Sequence, residues 1–350
     1  MSDSRSSFFK SLFARHEFVL VLVILLEVVL FQALGRNFLV GRNVSNVFRH
    51  SVEIGLLALA MTPVILTGGI DLSVGSMMGL CAVLFGMLVK LAGLDPWIAA
   101  VLAIGFGALG GGVNALLITR LNLPPLIVTL GTFSLFRGLA EALTKGAESY
   151  SGFPQSFLNL GNSEVAGLPA QVWVFLAVAV GIWLLVHQTT IGRSFRAIGY
   201  AADGARYAGI PVARNTSLAY IIAGAVAGLA AVILVSRLGE ARANAGIGYE
   251  LLAITAVVLG GVSIFGGSGT VAGTFLGWIA LAILTNGLTR ISDYKILDQT
   301  VSSVARELSG LLTGLLLLTA LAIGAGTKTL AARQARKQSL KTITPKPANP

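Results

Sequence analysis

The chain is dominated by long apolar runs that follow one another with short interruptions. A helix needs about 20 apolar residues to cross about 30 Å of hydrocarbon. Runs of that order recur along the sequence, each broken by Gly, Pro or a charged residue. They cover approximately 18–34, 51–67, 74–94, 97–119, 124–144, 169–187, 216–235, 250–265, 270–289 and 305–325. We therefore predict an all-α, polytopic membrane helix bundle with about ten transmembrane helices.

The composition excludes the other classes of chain. Of the 350 residues, 55% are hydrophobic and only 11% are charged, which is too few charges to cover a soluble surface. Disordered, coiled-coil, collagen-like and secreted disulfide-rich chains are excluded on the same ground. The single cysteine, Cys81, lies inside an apolar run and is interpreted as a small core side chain.

The basic residues orient the chain in a bilayer. The net charge is +10, and the cations cluster beside apolar runs and in the C-terminal tail, so they indicate contact with lipid and no nucleic-acid partner. With the N terminus in the cytoplasm, fourteen Lys and Arg fall in cytoplasmic segments and eight in outer loops. We predict a cytoplasmic N-terminal segment 1–17, a transmembrane domain 18–325 with an inner loop 188–215, and a basic cytoplasmic tail 326–350.

Two stretches share a pattern that predicts two structural repeats. Residues 54–75 and 252–273 each contain a compact apolar helix, a Gly-Gly break with small polar residues, and the start of another apolar helix. The alternative is that glycine-rich membrane helices simply look alike. Glycines at four-residue spacing also recur, and they predict close approach of helix backbones where lipid offers no hydrophobic driving force between helices.

A few polar residues fall inside or between the apolar runs. Asp71 follows Gly68 and Gly69 and precedes Ser73, and its carboxylate is suited to accept hydrogen bonds at the start of the next helix. We favour that capping role over a direct solute contact. Ionised groups within spans are costly unless they face protein, water or a partner, so they are functional candidates. The candidates for a translocation path are Gly68, Gly69, Asp71, Ser73, Glu53, Asn114, Phe133 and Arg137.

Other interpretations of these candidates stay open. Glu53 and Arg137 could line a polar path, or they could snorkel and pair near a membrane interface. Phe133 could stack on a sugar face. No motif typical of a catalytic metal or thiol site occurs, and neither does the phosphate-binding Gly-x-x-x-x-Gly-Lys-Ser/Thr loop. We predict a chain that is not an enzyme and binds no cofactor of its own.

The inner loop 188–215 contains a candidate docking element. Residues 201–208 can form a short helix, which Gly209 and Pro211 would stop. A short exposed helix held against a rigid bundle is suited to contact a partner on the cytoplasmic side.

Three segments carry a resemblance to a known family. They are the Gly-Gly-Ile-Asp-Leu-Ser-Val-Gly-Ser stretch at 68–76, the loop at 192–212, which contains Ala-Arg-Tyr-Ala-Gly-Ile-Pro-Val, and the stretch 256–270, which contains Ser-Ile-Phe-Gly-Gly-Ser-Gly-Thr. Together they resemble the ribose-permease-like, carbohydrate-importing branch of ABC transporter permeases over about residues 18–325. Finer similarity points to the autoinducer-2, rhamnose or ribose types.

The resemblance implies a permease subunit in the bacterial inner membrane. Two permease subunits, identical or related, would form the pore with two cytoplasmic ATP-binding subunits and a periplasmic sugar-binding protein. ATP would be used by the partner subunits. The positions that the resemblance assigns to coupling with the ATPase are Asp203, Gly204, Ala205, Arg206, Tyr207 and Gly209.

The alternative function is an ion-gradient-driven secondary transporter of small polar solutes. Such proteins also contain repeats and broken helices. They more often place several acidic residues in the middle of spans, whereas here only Glu27 and Glu53 are well within them.

Overall fold

A computed structural model describes residues 16–34 and 38–292 and the single positions 311, 314 and 315. The described residues form twelve α-helices, numbered here in chain order. They are α1 (His16–Leu34), α2 (Gly41–Leu66), α3 (Val74–Lys90), α4 (Pro96–Arg120), α5 (Pro125–Leu143), α6 (Gln155–Asn162), α7 (Ala170–Trp183), α8 (Thr190–Tyr200), α9 (Ala202–Tyr207), α10 (Val212–Leu238), α11 (Tyr249–Leu259) and α12 (Val271–Ser292). A π-helical turn, Leu184–Gln188, extends α7.

The prediction of an all-α membrane bundle is confirmed. Seven of the described helices are long and apolar enough to cross a membrane, and α3 and α11 are shorter apolar helices. These nine elements coincide with nine of the ten predicted runs. The tenth run, 305–325, lies outside the described residues except for three positions. The same is true of the predicted tail 326–350 and of almost all of the predicted N-terminal segment 1–17.

The two ends of the bundle are distinguished by what they carry. We call the end with residues 188–215 the loop end and the opposite one the far end. Two short antiparallel strand pairs join connections at the far end: β1 (Tyr150–Ser151) pairs with β4 (Glu240–Ala241), and β2 (Glu164–Val165) pairs with β3 (Leu168–Pro169). In the first pair Tyr150 lies opposite Ala241.

Helix α10 lies at the centre of the bundle and packs against α2, α3 and α4. Its contact with α4 is made by glycines at four-residue spacing. A Cβ added at Gly224 would overlap the backbone of Gly107, and one added at Gly228 would lie 2.6 Å from the carbonyl oxygen of Ala103. The prediction of close backbone packing through these glycines is thus confirmed for α4 and α10.

The two glycine-rich breaks predicted from the sequence meet at the loop end. The first separates α2 from α3, and the second separates α11 from α12. The amide of Gly267 donates to the carbonyl oxygen of Leu66 at 3.0 Å. The breaks therefore lie side by side, while a repeat relationship between them stays a prediction.

Candidate translocation site

Asp71 organises the start of α3. Its Oδ1 accepts hydrogen bonds from the backbone N–H of Ser73 at 2.9 Å and from the Ser73 hydroxyl at 2.6 Å. Ser73 is the N-cap residue of α3 and makes no side-chain cap bond of its own. The favoured structural role for Asp71 thus fits the geometry, although the N-cap position belongs to Ser73.

The Asp71 contact continues into a buried polar chain. The Asn114 amide donates to the Ser73 hydroxyl oxygen at 2.8 Å, and the Thr132 hydroxyl donates to the Asn114 carbonyl oxygen at 2.7 Å. All four residues are buried. The chain ties the break before α3 to α4 and α5, so Asp71, Ser73 and Asn114 are brought together in a hydrogen-bonded contact that is enclosed by protein.

Arg137 holds the segment 240–248, which connects α10 to α11. Its guanidinium donates to the carbonyl oxygen of Ala243 and, at 3.1 Å from both terminal nitrogens, to that of Ala245. The Glu250 carboxylate is close enough to interact electrostatically with it. Arg137 was a path candidate with interfacial pairing as the alternative, and the structure gives it a clamp on backbone carbonyls.

The clamped segment, 240–248, runs beside α3, and its buried and exposed residues alternate over 241–244. Ala241 and Ala243 are buried against α3, near Gly86 and Gly79 respectively. Arg242 and Asn244 are exposed on the other side. The strand ends at Ala241, and the chain then makes successive turns: the amide of Ala245 donates to the carbonyl oxygen of Arg242 at 3.2 Å, and the amide of Tyr249 donates to that of Gly246 at 3.1 Å. The carbonyl oxygen of Gly246 lies 2.6 Å from a Cβ built at Gly75, so the two elements run antiparallel in close contact.

Sequence reasoning missed this segment, although it carries a signal. The run Ala241-Arg-Ala-Asn-Ala-Gly246 alternates small and polar residues, so its small residues can pack closely while its polar residues stay exposed. The glycines of α3 leave room for the small residues, because any larger side chain on that face would meet the helix backbone.

A polar cavity of about 560 Å³ lies beside the segment 240–248, towards the far end. We call it the far-end pocket. Its lining residues are His50, Leu234, Arg237, Leu238, Glu240, Arg242, Asn244, Ala245, Gly246, Ile247 and Tyr249. Glu53 lies directly behind the pocket: its Oε1 accepts from Arg237 Nε at 2.8 Å, and the Glu53 side chain is fully buried. Sequence reasoning singled out Glu53 but missed its partner Arg237 and the lining residues around it.

Further polar contacts order the pocket wall. Arg237 Nη1 lies 3.0 Å from His50 Nδ1, and Tyr249 is hydrogen-bonded to Arg237. At the mouth, Arg242 forms an ion pair with Glu240. The hydrogen bond from Arg242 lowers the pKa of the Glu240 carboxyl below its ordinary value, so this group is ionised at neutral pH.

The other path candidates lie elsewhere. Phe133 is half-buried on α5 and does not line the far-end pocket. Gly68 and Gly69 lie at the loop end in the first break. Apart from Phe133, the predicted path residues are therefore divided among a buried polar chain, a backbone clamp, the wall behind the pocket and the loop end.

The candidate coupling segment forms the short helix expected of it. Helix α9 covers Ala202–Tyr207, against a predicted 201–208, and Gly209 follows in the left-handed conformation at φ 80°. Ala205 is buried, whereas the Tyr207 side chain is 91% exposed. Asp203 and Arg206 form an exposed ion pair at 3.5 Å. Gly204 is exposed and has only the Ala201 Cβ near it, at 3.5 Å from a built Cβ.

Helix α8, which precedes the coupling segment in the inner loop 188–215, touches both glycine-rich breaks. A Cβ added at Gly199 would overlap the carbonyl oxygen of Leu66 and approach Gly266 at 3.0 Å. A Cβ on Gly266, which has φ 83°, would lie 2.8 Å from the Cα of Gly68. We call the contact of Gly68, Gly199 and Gly266 the glycine joint. Backbone meets backbone there, which only glycine allows.

Comparison with known proteins places the chain in a family. A family model described as the permease component of a branched-chain amino acid transport system matches residues 43–321. The autoinducer 2 import system permease protein LsrD of Photorhabdus luminescens is 37% identical over 309 residues, covering 87% of this chain and 89% of that protein. The protein of the same name from Yersinia enterocolitica is 39% identical over 303 residues, covering 85% and 88%.

A solved structure, PsaBC from Streptococcus pneumoniae in complex with Fab, aligns with a TM-score of 0.46 at 16% identity, covering 79% of this chain and 89% of that one. The family match spans well over half of the chain, and the helices include seven that can cross a membrane. The chain is therefore a multi-pass inner-membrane protein and belongs to the permease-component family, in its ribose-permease-like group of ABC importers.

Proposed function

We propose that this chain is the pore-forming permease subunit of an ATP-driven importer for a sugar-like solute of the autoinducer-2 class. The relatives named as autoinducer 2 import permeases support the solute class, since they match most of their own length at 37–39% identity. Rhamnose and ribose are the other candidate solutes within the same group of permeases. The loop end faces the cytoplasm, and the far end faces the periplasm.

The observation that carries the ATP-driven mechanism is the glycine joint. An ATP-binding subunit pressing on α9 would meet Tyr207 and the Asp203–Arg206 pair, all exposed. Movement of α8 would pass to Leu66 and Gly266, because the three backbones are in direct contact. Leu66 ends α2, and Gly266 lies in the break between α11 and α12, so one displacement moves both broken elements.

The translocation route begins at the far-end pocket and continues along the segment 240–248 towards the loop end. α10, α11 and α2 surround this region, and Arg137 holds the segment against α5 and α3. A second permease subunit completes the pore, and a periplasmic binding protein delivers the solute to the far end. Closure of the ATPase dimer opens the route to the periplasm. Hydrolysis of ATP closes that side and opens the route to the cytoplasm. A ligand shifts such an equilibrium only by its different affinity for the two states.

Reconstitution tests this function against the ion-gradient alternative. The full chain is placed in liposomes with its ATP-binding subunits, a second permease subunit and the binding protein, and uptake of labelled autoinducer 2 is followed. We expect uptake that requires ATP and continues in the presence of a protonophore. Uptake by the permease without ATP-binding subunits, abolished by the protonophore, would overturn the proposal. An ATP-binding subunit with an inactivated hydrolytic site is the matched control.

A further inference from the structure

We propose that the far-end pocket is a solute-binding station of the permease itself and that it recognises a neutral, polyhydroxylated solute. The inference rests on the proposed import function and adds to it a binding site within this chain. Six polar side chains line the cavity from three parts of the chain, namely His50 on α2, Arg237 on α10, and Glu240, Arg242, Asn244 and Tyr249 along the segment that leads into α11.

The charges around the pocket cancel in pairs. Arg237 is paired with the buried Glu53, and Arg242 is paired with Glu240. An ionic solute would lose hydration on entering and would find the opposite charge already engaged. A neutral solute does not meet this cost, so the charge pattern favours an uncharged molecule.

Hydrogen-bonding capacity is left over after the ion pairs form. The Asn244 side chain is exposed and makes no hydrogen bond to any other residue in the described part of the chain. Its amide offers both donors and an acceptor, which is the combination that adjacent hydroxyl groups require. Arg242 is more than half exposed and keeps donors beyond the contact with Glu240.

Apolar side chains complete the cavity. Leu234, Leu238 and Ile247 line it beside the polar groups. Sugar-like molecules present C–H faces as well as hydroxyls, and such walls give those faces something to pack against. The volume of about 560 Å³ falls within the range of about 300–1,000 Å³ typical of small-molecule sites.

The polar groups are held on a rigid support. Glu53 holds the Arg237 guanidinium from behind. Arg137 clamps the carbonyl groups of Ala243 and Ala245, on either side of Asn244. A site whose backbone is held by neighbouring contacts can select among solutes, because little reorganisation of the chain accompanies binding.

Cysteine protection tests the station. Ile247→Cys places a thiol in the pocket without removing a polar group, and the native Cys81 is buried and gives no background from the described core. Spheroplasts carrying the full chain and its partners are treated from outside with a membrane-impermeant maleimide. Ala147→Cys, exposed on the connection between α5 and β1, is the matched control.

We expect autoinducer 2 or D-ribose to slow labelling of Ile247→Cys about fourfold at a concentration about three times the Kd. Labelling of Ala147→Cys should not change. D-ribonate, which has a carboxylate, should give no protection. Failure of both neutral solutes to protect, or equal protection by D-ribonate, overturns the inference.

A second substitution links the protection to Asn244. Asn244→Ala in the Ile247→Cys background should abolish protection by the neutral solutes. Asn159→Ala, on exposed α6 and outside the pocket, should leave protection unchanged. Protection that survives Asn244→Ala would contradict the station. ATP-dependent uptake in liposomes is measured separately, so absence of protection with intact uptake rejects the station and leaves the proposed function standing.

Discussion

Arg237 Nε lies 2.8 Å from Oε1 of Glu53, although 184 residues separate the two in sequence. The Glu53 side chain is fully buried and that of Arg237 is only 9% exposed. A pair so enclosed is costly to break on one side, because the remaining charge keeps its burial and loses its partner. The contact joins the middle of α2 to the last turn of α10 at the wall of the far-end pocket.

Removing one partner of this pair should destabilise the protein. We expect Glu53→Ala to cost about 3–5 kcal/mol, because Arg237 would be left without its carboxylate. The measurement is the thermal unfolding midpoint of the purified chain in detergent. Glu148→Ala removes the carboxylate of an exposed pair with Lys145 and should leave the midpoint unchanged. Equal midpoints for both variants would contradict a structural role for Glu53.

The glycine joint predicts a second outcome. Gly199→Ala should reduce uptake and solute-stimulated ATP hydrolysis together, because the new Cβ would push α8 away from Leu66. Overpacking of this kind costs about 1–3 kcal/mol, so the chain should still insert in the membrane. Gly181→Ala, on α7 with no atom near its built Cβ, should behave as wild type. Normal coupling in Gly199→Ala would argue against transmission through this contact.

The surface of α9 predicts a third outcome. Gly204→Trp adds bulk at an exposed position that touches only Ala201, so the fold should tolerate it. We expect membrane insertion to be normal and solute-stimulated ATP hydrolysis to be lost, because the side chain would hold the ATP-binding subunit away from α9. Co-purification of that subunit measures the contact directly. Ala147→Trp, at the far end, is the control. Retention of solute-stimulated ATP hydrolysis by Gly204→Trp would show that α9 does not contact the ATP-binding subunit.

The contact of Arg137 with the segment 240–248 predicts a fourth outcome. Arg137→Gln leaves the carbonyl oxygens of Ala243 and Ala245 without their guanidinium donor. The segment should then open more often, and trypsin should cleave after Arg242 faster than in the wild-type chain in detergent. Arg120→Gln, exposed at the end of α4, provides the comparison and should leave cleavage after Arg242 unchanged. Unaltered cleavage in Arg137→Gln would show that other contacts hold the segment.

The helices were predictable because lipid imposes a simple requirement on sequence. A span must be apolar over its length, so α4 and α10 appear as runs without a charged residue over 97–119 and 216–235. The glycine-rich breaks were equally visible, since Gly-Gly interrupts those runs. The short helix α9 was predictable from the glycine and proline that follow it.

The partners of the polar residues were not predictable in this way. Nothing local to Glu53 indicates that its cation is Arg237, because the pairing depends on how α2 and α10 pack. Asn114 looked like a path residue, yet it is enclosed between Ser73 and Thr132. The segment 240–248 looked like an ordinary outer loop because Glu240, Arg242 and Asn244 are hydrophilic. Its small residues matter only beside the glycines of α3, which are more than 150 residues earlier in the chain.

The short length of α11 has a consequence for the membrane barrier. Eleven helical residues span about 16 Å, roughly half of the hydrocarbon thickness of about 30 Å. Before the first residue of α11, the segment 240–248 exposes the hydrophilic side chains of Arg242 and Asn244. Helix α11 therefore cannot cross the hydrocarbon on its own, and the backbone polar groups of 240–248 have to be enclosed by protein or face a water-filled space.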